Sequence, residues 1–149
     1  MRYAHTNLIC YNWKAQATFY TIVFQCQLLP PIRDQEGGWL DKGLGLANAH
    51  LKGAHLLLPG HGENGPTLEL YSYGEMVEQN LVAPNQRGFG HLAFEVDDVE
   101  STLNLLLEHG GSKNGEISER MVEGVGIITF IYTRDPEGNL IELQNWKVK

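Results

Sequence analysis

The order strand, cap, helix occurs twice in this chain, and that repetition limits its fold more than any other feature. In segment 90–99, Gly-His-Leu-Ala-Phe-Glu-Val-Asp-Asp-Val, alternation puts Leu92, Phe94 and Val96 on one side of a strand and His91, Ala93 and Glu95 on the other. Asp97 and Asp98 offer side-chain oxygens to a helix start, and Val99, Leu103, Leu106 and Leu107 follow at helical spacing. Segment 3–10 has the same order, with His5 in the strand, Asn12 as cap and a helical run carrying Trp13, Phe19, Tyr20, Val23 and Phe24. Each half then closes with a glutamate between two aliphatic residues, Leu68-Glu69-Leu70 and Ile141-Glu142-Leu143. The histidines lie 86 positions apart and the glutamates 73, so the first half holds about 13 extra residues, which region 34–46 can supply. Each half reads as βαβββ. The repeat implies an α+β fold of two modules, each with one bare sheet face, that can bury those faces together and line a groove.

Between these anchors the punctuation is clear. The first helix is expected from Trp13 to about Gln27, stopping before Pro30-Pro31. An extended piece at 32–33, a turn at 35–38, a loop with a helical turn at 39–46 and a strand at 47–58 follow. A surface turn at 59–66 leads to a strand at 67–71, and a polar connector at 75–88 separates module one (about 1–74) from module two (about 89–149) within a single domain. Gly110 closes the second helix, 113–124 is variable, and strands are expected at 127–132 and 140–144 around the tight turn Asp135-Pro136-Glu137-Gly138-Asn139.

His5, Glu69, His91 and Glu142 are all placed in strands at matched positions, so a pseudo-twofold packing can bring the four to one point. Two imidazoles and two carboxylates suit one divalent ion such as Zn²⁺, Ni²⁺, Co²⁺, Mn²⁺ or Fe²⁺. Unpaired carboxylates on the polar side of such apolar strands are costly, and a metal removes that cost. His50 and His55 differ by an odd number and face opposite sides of a continuous strand, His61 lies in a turn, and His109 sits near a helix C-terminus. None of these four is expected to carry chemistry. Phosphate-loop, nucleophile-elbow and Cys-x-x-Cys motifs are absent.

A formal charge of −7 and a pI near 5.3 leave no basic face for nucleic acid or anionic membrane. No run approaches the roughly 18 apolar residues that span a bilayer, and a first strand beginning near residue 3 leaves no room for a signal peptide, so the expected location is the cytoplasm. Cys10 and Cys26 read as small apolar fillers.

Ala4-His5-Thr6, Gly90 to Asp98 and above all Asp135-Pro136-Glu137-Gly138-Asn139-Leu140-Ile141-Glu142-Leu143 make the chain resemble the vicinal oxygen chelate superfamily. That superfamily contains glyoxalase I, methylmalonyl-CoA epimerase, extradiol dioxygenases, fosfomycin-resistance transferases and bleomycin-binding proteins. The resemblance implies paired βαβββ modules forming a half-barrel around a metal, within a homodimer, and a small-molecule substrate. In the glyoxalase pattern of two histidines and two glutamates, His5, Glu69, His91 and Glu142 fill all four places. Extradiol enzymes and fosfomycin transferases lack the ligand corresponding to Glu69, the epimerase has an amide there, and bleomycin binders lack the set. Where bacterial glyoxalase I holds glutathione with an arginine and an asparagine, this chain has Ile9 and Tyr73.

The expected activity is therefore that of a glyoxalase-like lyase or isomerase removing a proton next to a metal-chelated carbonyl, with Glu142 as base and Glu69 next. Asn7 and Tyr71 are candidate substrate contacts. The alternatives are an acyl-CoA epimerase, an iron-dependent dioxygenase, and a metal-free sequestering protein with an aromatic groove including Trp39, Tyr71 and Tyr73.

Overall fold

The computed structural model describes residues 1–78 and 80–148; Gln79, inside the expected connector, and Lys149 lie outside the described residues. The chain divides into two compact units, Met1–Gln79 and Asn80–Lys149. The first contains β1 (His5–Ile9), α1 (Trp13–Phe24), β2 (Gln27–Glu36), α2 (Gly38–Leu44), β3 (His50–Leu57) and β4 (Thr67–Tyr73). The second contains β5 (Leu92–Glu95), α3 (Val99–Glu108), β6 (Ser112–Lys113), β7 (Ser118–Val122), β8 (Gly126–Arg134) and β9 (Leu140–Val148). Among the described residues, no helix is long and apolar enough to cross a membrane.

In the first unit the sheet order is β1-β4-β3-β2, with β1 parallel to β4 and the other pairs antiparallel. Asn12 starts α1 by accepting a hydrogen bond from the Ala15 N–H, as its position before the helical run implies. The helix ends at Phe24, earlier than expected, because Gln25 turns left-handed (φ 57°). Strand β2 then begins at Gln27 and runs through Pro30 and Pro31. Two prolines are tolerated there because β2 is an edge strand, where missing donors break few ladder bonds, and the register shifts between Leu29 and Arg33. The turn expected at 35–38 is shorter, since Gln35 and Glu36 still pair with β3.

The extra length of the first half includes α2, which has no counterpart in the second. The Asp41 carboxylate ties α2 to the approach of β3 by accepting the Asn48 and Ala49 N–H groups at 3.0 and 2.8 Å. Phe19, Tyr20, Val23 and Phe24 bury the inner side of α1, and Leu56, Leu68 and Leu70 are fully buried in the sheet. A second small cluster joins Leu40 of α2 to Ala49, Leu51 and Tyr71. It covers one end of the opposite face, the one bearing Glu69.

In the second unit the order is β5-β9-β8, with β5 parallel to β9 and with both β6 and β7 paired to β8. Asp98 caps α3, accepting the Ser101 N–H at 2.6 Å. Val99, Leu103 and Leu106 are buried on the helix, and Ile131, Ile141 and Leu143 on the strands. The stretch expected to be variable at 113–124 contains β7, whose Ser-Glu-Arg-Met-Val sequence is too polar to stand out as a strand. The Asp135–Asn139 turn forms as expected. The Asp135 carboxylate accepts the backbone N–H groups of Glu137 and Asn139 and the Asn139 amide, and Gly138 supplies the positive φ. Beside it, the buried Arg134 guanidinium donates to Gly138, Asn114 and the Val82 carbonyl, holding the chain before β5 against this turn.

Two buried groups generate tests. Gln16 is 1% exposed on α1, and among the described residues neither its Nε2 nor its Oε1 meets a hydrogen-bond partner. Gln16→Leu keeps the volume and removes both orphaned atoms, so thermal melting is expected to rise by roughly 3–6 °C, corresponding to about 1–2 kcal/mol. An unchanged or lower midpoint refutes this.

Burial pushes the Cys26 thiol from an ordinary 9.0 to about 12. The unfolded thiol therefore releases its proton first. Between pH 9 and 12 the folded chain binds more protons at this group, and stability falls as pH rises. Cys26→Ala is expected to flatten that slope in denaturant melts. A slope identical to wild type contradicts the assignment.

Candidate functional site

Strand alternation places Glu69 on the face of the first sheet opposite α1, on a strand flanked on both sides. Thr67, Glu69, Tyr71 and Tyr73 of β4 share that face with His5 and Asn7 of β1 and with Gly53 and His55 of β3. His5 Nδ1 stands 3.3 Å from Glu69 Oε1, with the imidazole 48% exposed and the carboxylate 12%. The second unit holds the equivalent pair. His91 lies one residue before β5, not within it, and its Nε2 stands 2.9 Å from Oε2 of Glu142 on β9. Exposure of these side chains is 31% and 15%.

Each expected pair thus meets inside its own unit. Both separations fit a charge-assisted hydrogen bond. They also fit neighbouring metal ligands, because atoms about 2.1 Å from an ion and at right angles stand about 3 Å apart. The donor set is the nitrogen and oxygen mixture that first-row divalent ions accept. Among the described residues, no group of three or more His, Cys, Asp or Glu side chains gathers in a metal-holding arrangement. What each unit presents is a half-set.

The sequence reading missed His55. It sits directly across the β3–β4 ladder from Glu69, with Nε2 3.2 Å from Glu69 Oε1 and 2.7 Å from the Tyr71 hydroxyl. A bare imidazole lone pair would repel the carboxylate, so the Nε2–H tautomer fits this geometry. Burial pushes the His55 pKa down, and Arg33 and His5 push the same way against the pull of Glu69. The Tyr71 pKa is raised, first by burial and then by the Glu69 charge. The signal for His55 was available only through pairing: three residues of one hairpin strand must oppose three of the other.

Tyr132 occupies the equivalent place in the second unit, directly across from Glu142. Its ring meets His91 edge-on at 4.9 Å, and burial and the Glu142 charge raise its pKa. The remaining candidates are less central. Asn7 donates to the Glu69 carbonyl at 3.3 Å, so its amide holds β1 to β4. Tyr73 packs on the α2 cluster, whereas Trp39 is 64% exposed on α2. His50 binds Asp34 on the other face, and Glu95 is exposed.

The family model of the Glyoxalase/Bleomycin resistance protein/Dioxygenase superfamily matches residues 2–143. The chain belongs to this superfamily. Its fold is shared with a glyoxalase family protein from Bacillus cereus at 20% identity, over 98% of this chain and 94% of that one, with a TM-score of 0.83. A domain of the same superfamily from Frankia sp. matches at 18% identity, 99% and 98% coverage and TM-score 0.56. The fosfomycin resistance protein FosX of Listeria monocytogenes, complexed with Mn(II) and sulfate, matches at 15%, 99% and 93%, and 0.54. At these identities the likeness is one of fold. No curated protein matches the sequence.

Within this superfamily member, the Tyr71 ring depends on Gly53. A Cβ on Gly53 would stand 1.9 Å from the Leu70 carbonyl oxygen and 2.3 Å from Tyr71 Cδ1. Gly53→Ala is therefore expected to cost about 2–4 kcal/mol in denaturant unfolding, mostly through overpacking. A loss under about 0.5 kcal/mol, the range of neutral surface changes, rejects this packing.

Proposed function

We propose that this chain is a metal-dependent enzyme of the glyoxalase-like type, holding one divalent cation through His5, Glu69, His91 and Glu142. The observation that carries the reading is the matched pair of histidine–carboxylate contacts, 3.3 Å in one unit and 2.9 Å in the other, at equivalent places in two repeats. The Mn(II) complex of FosX adds support, since that protein shares the fold and that ion accepts the same ligand types. The superfamily model spans glyoxalases, resistance proteins and dioxygenases, so the support for an enzyme comes from the pairs rather than from the family.

When bound, the cation supplies Lewis-acid stabilisation of negative charge developing on the substrate's oxygens. The substrate is a small molecule with two vicinal oxygens, such as a hydroxyketone, a 2-oxoaldehyde adduct or an acyl thioester with a second oxygen. Glu142 removes the proton from the carbon next to the carbonyl, with Glu69 as the alternative base. Both carboxylates are largely shielded from water, which favours proton transfer to them over hydration. Tyr132 holds the His91 ring edge-on and shields that side of Glu142. Return of the proton to the neighbouring carbon gives isomerase or lyase chemistry. The chain works as a homodimer, in keeping with exposed apolar residues such as Val77 and Phe89.

Equilibrium dialysis against Mn²⁺ or Ni²⁺ is expected to give about one equivalent per chain and a loss of affinity of about tenfold or more in His91→Ala. Equal uptake by both proteins ends the proposal. On a substrate that is turned over, deuterium wash-in should fall sharply in metal-loaded Glu142→Gln. If both Glu142→Gln and Glu69→Gln exchange at the wild-type rate, neither glutamate is the base.

A further inference from the structure

Arg33 is the strand cation of the Glu69 face. It lies on β2 opposite Gly53, and Gly53 lies opposite Tyr71, so register puts Arg33 on the same face as Tyr71, His55 and Glu69. Among the described residues, it is the only lysine or arginine at a strand position of that face in the first unit.

The neighbouring acids are engaged elsewhere: Asp34 pairs with His50 and Lys52, and Glu36 lies toward His50. Among the described residues, Arg33 forms no ion pair, and its one hydrogen bond goes to the Pro31 carbonyl. A guanidinium carries five donors in a plane, so most of its capacity is left for a ligand. Gly53 keeps the strand between Arg33 and Tyr71 free of a side chain. The Tyr71 hydroxyl lies 2.7 Å from His55 Nε2 on the same face.

We propose that Arg33, aided by the Tyr71 hydroxyl, is the anion anchor of this face, and that the substrate is a small vicinal-oxygen compound bearing a carboxylate. The inference rests on the reading that the Glu69 face receives substrate. A planar carboxylate matches the guanidinium fork. Arg33 is a specificity determinant and takes no part in proton transfer.

The test uses pyruvate and its neutral counterpart methyl pyruvate as probes, titrated by nuclear magnetic resonance into the metal-free full chain. Wild type is expected to bind pyruvate about tenfold more tightly than methyl pyruvate, with amide shifts at Gly53 and Tyr71, as one charge-assisted pair implies. Arg33→Gln should erase the preference while leaving methyl pyruvate binding within about twofold, and Arg33→Lys should restore part of it. Equal affinity for the two probes in wild type, shifts confined to other residues, or a preference that survives in Arg33→Gln each overturn the proposal. Because the readout needs no metal, it is separable from the metal reading. If His91→Ala takes up as much Mn²⁺ as wild type, the metal reading falls by itself.

Discussion

A carboxylate fixed on an interior strand is the constraint on which both halves of this protein depend. Glu69 stands between β1 and β3, and Glu142 between β5 and β8, so each is hydrogen-bonded through its backbone on both sides. Neither can shift by one residue without turning Leu68 and Leu70, or Ile141 and Leu143, out of a core in which all four are almost fully buried. The apolar neighbours therefore lock the polar residue in place. With 12% and 15% of their side chains exposed, the carboxylates need partners, and in each unit a histidine from the parallel neighbour's end of the sheet supplies one.

The parallel pairing explains why that histidine comes from the first strand of each half. A parallel neighbour requires a crossover, which begins with α1 or α3 and returns through the remaining strands of the unit, and the helix covers the face opposite the glutamate. The Asn12 and Asp98 caps thus have a consequence for the site: they set where each crossover helix begins, and so how the strand before it meets β4 or β9.

Much of this was legible because it is local or periodic. Alternation identified the glutamate faces, the caps identified the helix starts, and the repeat identified which strand ends correspond. What was not legible depends on pairing between distant segments. His55 was set aside because counting along its own strand separates it from His50, whereas its importance comes from lying opposite Glu69. Strand β2 was hidden by its prolines, since only its place at the sheet edge makes them acceptable. Strand β7 was hidden by its polarity, which an outer strand paired only to β8 can sustain. His91 falls just outside β5 although its partner is the one expected, so the pairing was easier to read than the element boundary.

The repeat keeps the histidine–glutamate pair and exchanges what surrounds it. Across from Glu69 the first unit has His55, and across from Glu142 the second has Tyr132. One step along, Gly53 opposes Tyr71 in the first unit, whereas Phe130 opposes Gln144 in the second. A small residue facing an aromatic one is thereby replaced by an aromatic facing an amide, and each face carries one large ring at this level, supplied from opposite strands. Farther out, Arg33 opposes Gly53, whereas Ser118 opposes Phe130. The metal-type donors are thus held constant by the repeat, while the charge and hydrogen-bonding character is concentrated on the first face and the aromatic surface of Phe130 and Tyr132 on the second. Duplication of a module supplies two equal donor pairs, and divergence at the positions directly across and one step along is enough to make the faces chemically unequal.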